Sequence, residues 1–182
     1  MPKAIGMVEY FNVSCGVRAA DIMAKTADVE IITAMTVCPG KFIVIVSGLL
    51  SAVKASVEAA KIHVPEKLVD SFILGNPHED VFPALYGATE VGTPAALGIL
   101  ETYSAASIIE GADIAAKTAI VKLIEIRIAK GMSGKSFMFI TGEIAAVEAA
   151  IEKAKAAISD KGTYLDSAVI PNPDESVWKS IL

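Results

Sequence analysis

Residues 20–29 read ADIMAKTADV and residues 112–121 read ADIAAKTAIV, so nearly the same stretch occurs twice at an offset of 92. A second pair follows the same rule, because DSFILGNPHEDV (70–81) matches DSAVIPNPDESV (166–177) at an offset of 96. The offset grows only between matched segments, where loops are expected, and this behaviour is typical of a duplicated domain. The chain is therefore predicted to carry one domain twice.

The boundaries of the two domains follow from the spacing and from a Gly/Thr/Pro-rich stretch between them. Of the 182 residues, we assign 1–88 to the first domain, 89–94 to a linker and 95–182 to the second domain. Each copy carries the order β-α-β-β-α-β-α in its apolar periodicity. This order predicts an α+β fold of two tandem ferredoxin-like (split βαβ) domains, with antiparallel sheets backed by helices.

Polar residues in front of the predicted helices indicate where those helices begin. Ser14 is the predicted N-cap of the first helix. Asn76 and Asn172 each precede a proline and stand three residues before a glutamate, so both are predicted N-caps of a short helix that ends its copy.

Composition limits the classes of function that remain open. Apolar residues make up 53% of the chain, the mean hydropathy is +0.54 and the net charge is −5. Such an apolar chain is expected to bury surface against other chains, and the acidic balance argues against nucleic acid as a partner. No apolar run reaches the ~18 residues of a membrane span, and the N-terminus lacks a signal-peptide pattern. With two cysteines only, we expect a cytoplasmic oligomer.

The repeated stretches, together with SGLLSAVKASVEAAK and ILGNPHEDV, resemble the bacterial microcompartment (BMC) shell domain, and two such domains cover essentially the whole chain. The likeness is greatest to the tandem-domain members found in propanediol-utilisation compartments. The resemblance implies a structural shell protein and no enzyme. It implies a homotrimer that forms a pseudohexameric disc, tiles with other BMC shell proteins, and has encapsulated redox enzymes as further candidate partners.

The resemblance also implies residue roles at the disc edge. Lys25 and Lys117 match the helix lysine that lies at disc edges in this family. Asn76 and Asn172 stand where the family usually has an edge arginine, so the strength and partner choice of the edge contacts are open at this point. From composition alone, an ordinary solvated helix face is the simpler interpretation of the two lysines.

Cys38 is the residue to which the resemblance gives a specific chemistry. It lies in TVCPGK (36–41), the loop that lines the central pore in this family, whereas the second copy has the longer IAKGMSGK without cysteine. Threefold symmetry would bring three Cys38 thiols together, and we expect them to hold one [4Fe-4S] cluster per trimer for electron transfer or cluster delivery. Pro39 and Gly40 would shape the turn, and the N–H groups of Gly40 and Lys41 would donate to the cluster.

Other interpretations remain open from the residues alone. A lone cysteine is usually a small buried hydrophobe, and Cys15 is predicted to be one. A shell protein without metal, whose pore passes metabolites, is the main alternative, and a ligand-binding regulator with the same fold is a third. His63 and His78 are not spaced as metal ligands. Glu9 and Glu101 recur in both copies, which favours interface hydrogen bonding over acid–base chemistry.

Overall fold

The computed structural model describes residues 4–182, which divide into two compact units. Unit 1 contains residues 4–77 and 130–133, and unit 2 contains 78–129 and 134–182. This division reflects packing, and the sequence boundaries at 88 and 95 stay a prediction. Unit 1 is built from β1 (Ala4–Tyr10), α1 (Val13–Thr26), β2 (Val29–Val37), β3 (Lys41–Gly48), α2 (Leu50–His63) and β4 (Leu68–Leu74). Unit 2 is built from α3 (Val81–Tyr86), β5 (Ala96–Thr102), α4 (Ala105–Thr118), β6 (Val121–Arg127), β7 (Ser136–Gly142), α5 (Ile144–Ser159), β8 (Tyr164–Ile170) and α6 (Glu175–Ile181).

Each unit has one four-stranded antiparallel sheet, with strand order β2-β3-β1-β4 in unit 1 and β6-β7-β5-β8 in unit 2. The two copies also share an irregularity in the register of their strand pairing. The β2–β3 pairing shifts between Ile31 and Thr33, and the β6–β7 pairing shifts between Leu123 and Glu125, 92 residues further along. The predicted α+β fold of duplicated antiparallel sheets backed by helices is confirmed.

The core of each unit lies between the sheet and its two long helices. In unit 1, alternate residues of β1 and β3 meet apolar residues of α1 and α2, as expected for one face of a pleated sheet. Gly16 allows a close contact there, because a Cβ on this residue would stand 2.4 Å from Cδ1 of Phe42. In the second copy the two positions are occupied by Ile108 and Ser136, so the large and small residues have changed places.

Two predicted helix starts are wrong. The side chain of Asn12, not of Ser14, accepts from the backbone N–H of Cys15 and caps α1. Neither Asn76 nor Asn172 caps a helix, because α3 begins at Val81 and α6 begins after Asp174, whose carboxylate accepts from Ser176 N–H. Asn76 has φ of 52°, in the left-handed region, where a helix cannot begin.

Within residues 4–182, none of the helices combines the length and the apolar character that a membrane crossing requires.

Candidate functional site

The Cys38 turn joins β2 to β3. The backbone N–H of Gly40 donates to the carbonyl oxygen of Val37 over 2.9 Å and closes the turn. Gly40 has φ of 95°, and a Cβ there would meet nothing within 4 Å, so the backbone conformation and not the space calls for glycine. The peptide bond between Cys38 and Pro39 is cis. Gly40 N–H is used within the turn, as expected of a residue that shapes it, and its donation to a ligand stays a prediction.

The two cysteines occupy different environments. Cys15 is buried among the apolar residues of unit 1, as predicted for a packing residue. Cys38 is partly exposed and borders a depression of about 290 Å³. The other residues around this depression are Thr36, Val37, Gly40, Lys130 and Gly131, all of unit 1. Cys38 is therefore the thiol that a ligand from solvent can reach.

Lys41 follows the turn and forms an ion pair within unit 1. Its ammonium lies 2.5 Å from Oε1 of Glu9, and both side chains are largely buried. Glu9 thus serves as the counter-ion of Lys41, and the interface hydrogen bonding that its recurrence favoured stays a prediction. Glu101 and Lys135, the equivalents in the second copy, are both partly exposed.

The loop that replaces the Cys38 turn in the second copy has a different backbone. Ala129 and Ser133 have positive φ values of 47° and 53°, and Gly131 and Gly134 share this sign. The loop is held at its base, where Ala129 N–H donates to Oγ of Ser136 over 3.1 Å. Residues 130–133 pack in unit 1, and this brings Lys130 to the rim of the Cys38 depression.

A single chain supplies one thiol to this site. Among residues 4–182, no three side chains of His, Cys, Asp or Glu stand close enough to hold a metal ion. His63 is exposed in the last turn of α2, and Nδ1 of His78 accepts from the N–H of Asp80. Any cluster at Cys38 would need thiols from other chains.

The predicted edge residues are on the surface of both units. Lys25 and Asp21 form an exposed ion pair at 2.7 Å, and Asn76 and Asn172 are exposed. Lys117 makes the equivalent pair with Asp113, but this carboxylate is buried. Their role in contacts between discs stays a prediction.

Comparison with known proteins identifies the family. The profile of the BMC domain matches this chain twice, over residues 4–77 and 96–173. The chain belongs to the BMC-domain family of bacterial microcompartment shell proteins. It is 36% identical to the bacterial microcompartment shell protein PduT of Citrobacter freundii, over 100% of this chain and 99% of that protein. It is 37% identical to the carboxysome shell protein CsoS1 of Prochlorococcus marinus, over 50% of this chain and 92% of that protein.

Solved structures agree with this assignment. A crystal structure of a microcompartment protein from Desulfitobacterium hafniense superimposes with a TM-score of 0.94 at 42% identity, over 98% of this chain and 99% of that one. The BMC-domain chain described here is thus a structural protein of a microcompartment shell, and the predicted family and location in the shell are confirmed.

Sequence reasoning missed two features of the site. Lys130 reaches the Cys38 depression although 92 residues separate the two, and no local pattern signals this approach. The ion pair between Glu9 and Lys41 was also missed, although both residues were noted separately. The signal for this pair was their position at facing ends of β1 and β3, which a correct strand pairing would have brought together.

Proposed function

We propose that this protein assembles as a homotrimeric, pseudohexameric shell tile in which three Cys38 thiolates hold one [4Fe-4S] cluster on the threefold axis. The observation that carries the proposal is the placement of Cys38. Its thiol is partly exposed at a tight turn and borders a depression, whereas Cys15 is packed in the core. A cluster of this type, when bound, transfers single electrons, so the tile would pass electrons across the shell.

The residues around Cys38 fit an anionic group bound by thiolates. Gly40 holds the turn in a conformation that other residues adopt only with strain, and this fixes the direction of the preceding cysteine. Lys130 places an exposed ammonium at the rim, where it offsets the negative charge that thiolates bring. Lys41 neutralises the buried Glu9, so this carboxylate does not oppose a second anion nearby.

The number of chains is the one that the family resemblance implies, a homotrimer, and it sets the number of thiols at the site. One chain offers one accessible cysteine, and [4Fe-4S] clusters are normally held by four thiolates. Three symmetry-related chains supply three ligands and leave one position for a small ligand or a partner's side chain. A cluster with one iron not bound by a thiolate suits a site that exchanges ligands or meets a redox partner, such as an encapsulated redox enzyme.

The test is an anaerobic purification of the wild type, Cys38→Ser and Cys15→Ser, with iron, sulfide and mass measured for each. We expect about four irons per trimer and a paramagnetic resonance signal after reduction in the wild type. Both should be lost in Cys38→Ser and kept in Cys15→Ser, the matched control for removing one thiol.

Two results would overturn the cluster. Wild-type trimers that stay free of iron after reconstitution with iron and sulfide favour the alternative, an open pore for metabolites. Iron that survives in Cys38→Ser places the cluster elsewhere.

A further inference from the structure

Unit 2 has a pocket of its own on the edge strand of its sheet. The pocket has a volume of about 410 Å³, and small-molecule sites typically enclose roughly 300–1,000 Å³. It is bordered by β6, by the segment that follows α3 and by the end of α6, all within unit 2. The side chains around it include Thr89, Val91, Ile124, Glu125, Arg127 and Ile181.

An ion pair on β6 brings both signs of charge to this pocket. Nε and Nη2 of Arg127 both donate to Oε1 of Glu125, the first over 2.9 Å. The guanidinium also lies over the ring of Phe137, 5.5 Å from its centroid, so two neighbours hold it in place. An arginine carries five N–H groups, and two of them are used here. Within residues 4–182, no hydrogen bond uses the other three or Oε2 of Glu125. The pair thus keeps unused donors beside an unused acceptor.

The first copy shows that the fold does not require these charges. At the equivalent positions of β2 the chain has Thr33 and Met35. Met35 faces Ile43 across β2 and β3, and Arg127 faces Phe137 at the same place in the second sheet. Both strands have the same register shift, so the domain forms equally with uncharged residues here. The ion pair is a property of the second copy alone, and its unused groups are available to a ligand.

The hydroxyl of Thr89 is a third polar group at the pocket. Among the residues that the structure describes, its Oγ1 is buried and has no hydrogen-bond partner. Leaving a buried hydroxyl unpaired costs folding free energy. A polar ligand that reaches this hydroxyl removes that cost, since a hydroxyl can both donate and accept.

The rest of the pocket is apolar and well packed. Ile124 is buried in one cluster with Leu97 and Trp178, and Val91 and Ile181 pack against that cluster. Val91, Ile124 and Ile181 all border the pocket. A ligand that fits these surroundings combines polar groups at one end with an aliphatic portion at the other.

We infer that this pocket binds a small zwitterion, an α-amino acid with an aliphatic side chain. Its carboxylate accepts from the unused N–H groups of Arg127, and its ammonium donates to Oε2 of Glu125. Its side chain contacts Val91 and Ile124. A ligand with only one charge would lie beside the like-charged member of the ion pair, so the pair selects a ligand that carries both charges. This site is separate from the Cys38 depression, which belongs to unit 1.

The first test compares ligands that differ only in charge. The full chain is titrated calorimetrically with L-leucine, with 4-methylpentanoate, which lacks the ammonium, and with 3-methylbutylamine, which lacks the carboxylate. We expect a dissociation constant of roughly 1 mM for L-leucine and at least about tenfold weaker binding of the other two. Trp178 is the single tryptophan and packs against Ile124, so its fluorescence gives a second readout. Absence of L-leucine binding, or equal binding of either singly charged compound, would overturn the proposal.

The second test gives the pocket the residues of the first copy. In Glu125→Thr/Arg127→Met we expect unchanged circular dichroism, because β2 folds with these residues, and at least about tenfold weaker binding of L-leucine. Arg18→Gln is the matched control, since Arg18 is the other arginine of the chain and is exposed in unit 1. It should bind L-leucine as the wild type does. Undiminished binding in the double variant, or an equal loss in Arg18→Gln, would show that L-leucine does not bind at this ion pair.

Discussion

Helix α1 buries five of its residues, whereas α4, its counterpart in the second copy, buries ten. The two helices have the same length, and their sheets share strand order and register shift. The backbone of the domain is thus kept while its surface changes. Positions that are buried in one copy and exposed in the other are those where the two copies differ in which residues cover them.

The strongest test of this comparison concerns the exchanged pair in the cores. Phe42→Ser should leave a cavity over Gly16 and lower the free energy of unfolding by about 3–5 kcal/mol. The double variant Gly16→Ile/Phe42→Ser copies Ile108 and Ser136 of the second copy and should recover much of this loss. Urea denaturation measures both.

Gly16→Ile alone is the control, since its side chain would clash with the Phe42 ring. The contradicting result is that the losses of unfolding free energy in Gly16→Ile and in Phe42→Ser simply add in the double variant. That result would mean that the two copies do not fill this part of their cores in the same way.

A second test compares equivalent positions on β6 and β2. Leu123→Ala removes a fully buried side chain and should cost about 2–5 kcal/mol of unfolding free energy. Ile31→Ala should cost less than about 1 kcal/mol in the isolated chain, because Ile31 is partly in water. Denaturation of dilute protein measures the difference, and equal losses would mean that β2 is covered within the chain.

The third test uses the ion pair next to the Cys38 turn. Glu9→Gln leaves the Lys41 ammonium largely buried without its counter-ion, which should cost about 3 kcal/mol. Glu101→Gln is the matched variant in the second copy and should cost little, because Glu101 is partly exposed. Thermal denaturation at neutral pH compares them, and a large effect of Glu101→Gln would contradict the difference between the copies.

The smallest effect concerns Tyr10, whose equivalent in the second copy is Thr102. Burial raises the pKa of Tyr10 to about 12, and its hydroxyl donates to the carbonyl oxygen of Ala60. The folded pKa of Tyr10 lies above the unfolded value of about 10. The stabilisation that the protonated hydroxyl gives the folded state is therefore fully present below pH 10 and is lost as the pH rises towards 12.

Tyr10→Phe should therefore cost about 1 kcal/mol at neutral pH and reduce the alkaline loss of stability. Denaturation at a series of pH values, with tyrosinate absorbance as the second readout, measures this. An unchanged pH profile in Tyr10→Phe would assign the alkaline loss to other groups.

Most of the fold could be predicted because its signals are local or repeated. The order of strands and helices follows from apolar periodicity, and the duplication is visible in stretches such as 20–29 and 112–121. Helix starts were less predictable, since Asn12, Ser14 and Asp174 are all good capping residues and only the backbone conformation selects among them.

The candidate site was predictable only in part. Cys38 and its turn are contiguous in sequence, so the partly exposed thiol could be expected. Two contacts of the site depend on segments that are distant in sequence: Lys130 beside that thiol, and Glu9 beside Lys41. No short stretch of sequence contains the information that predicts such contacts.

The sequence by itself determined that one domain occurs twice, which elements each copy contains, and that one copy alone has a cysteine in its β2–β3 turn. The tertiary structure decided that α3, although encoded in the first copy, packs on β6 in unit 2. It thereby decided that α6, β2 and α1 present exposed apolar residues where their counterparts are buried. The reason is physical: a repeat specifies which surfaces are complementary, and only the path of the connecting chain decides which of those surfaces meet within one molecule.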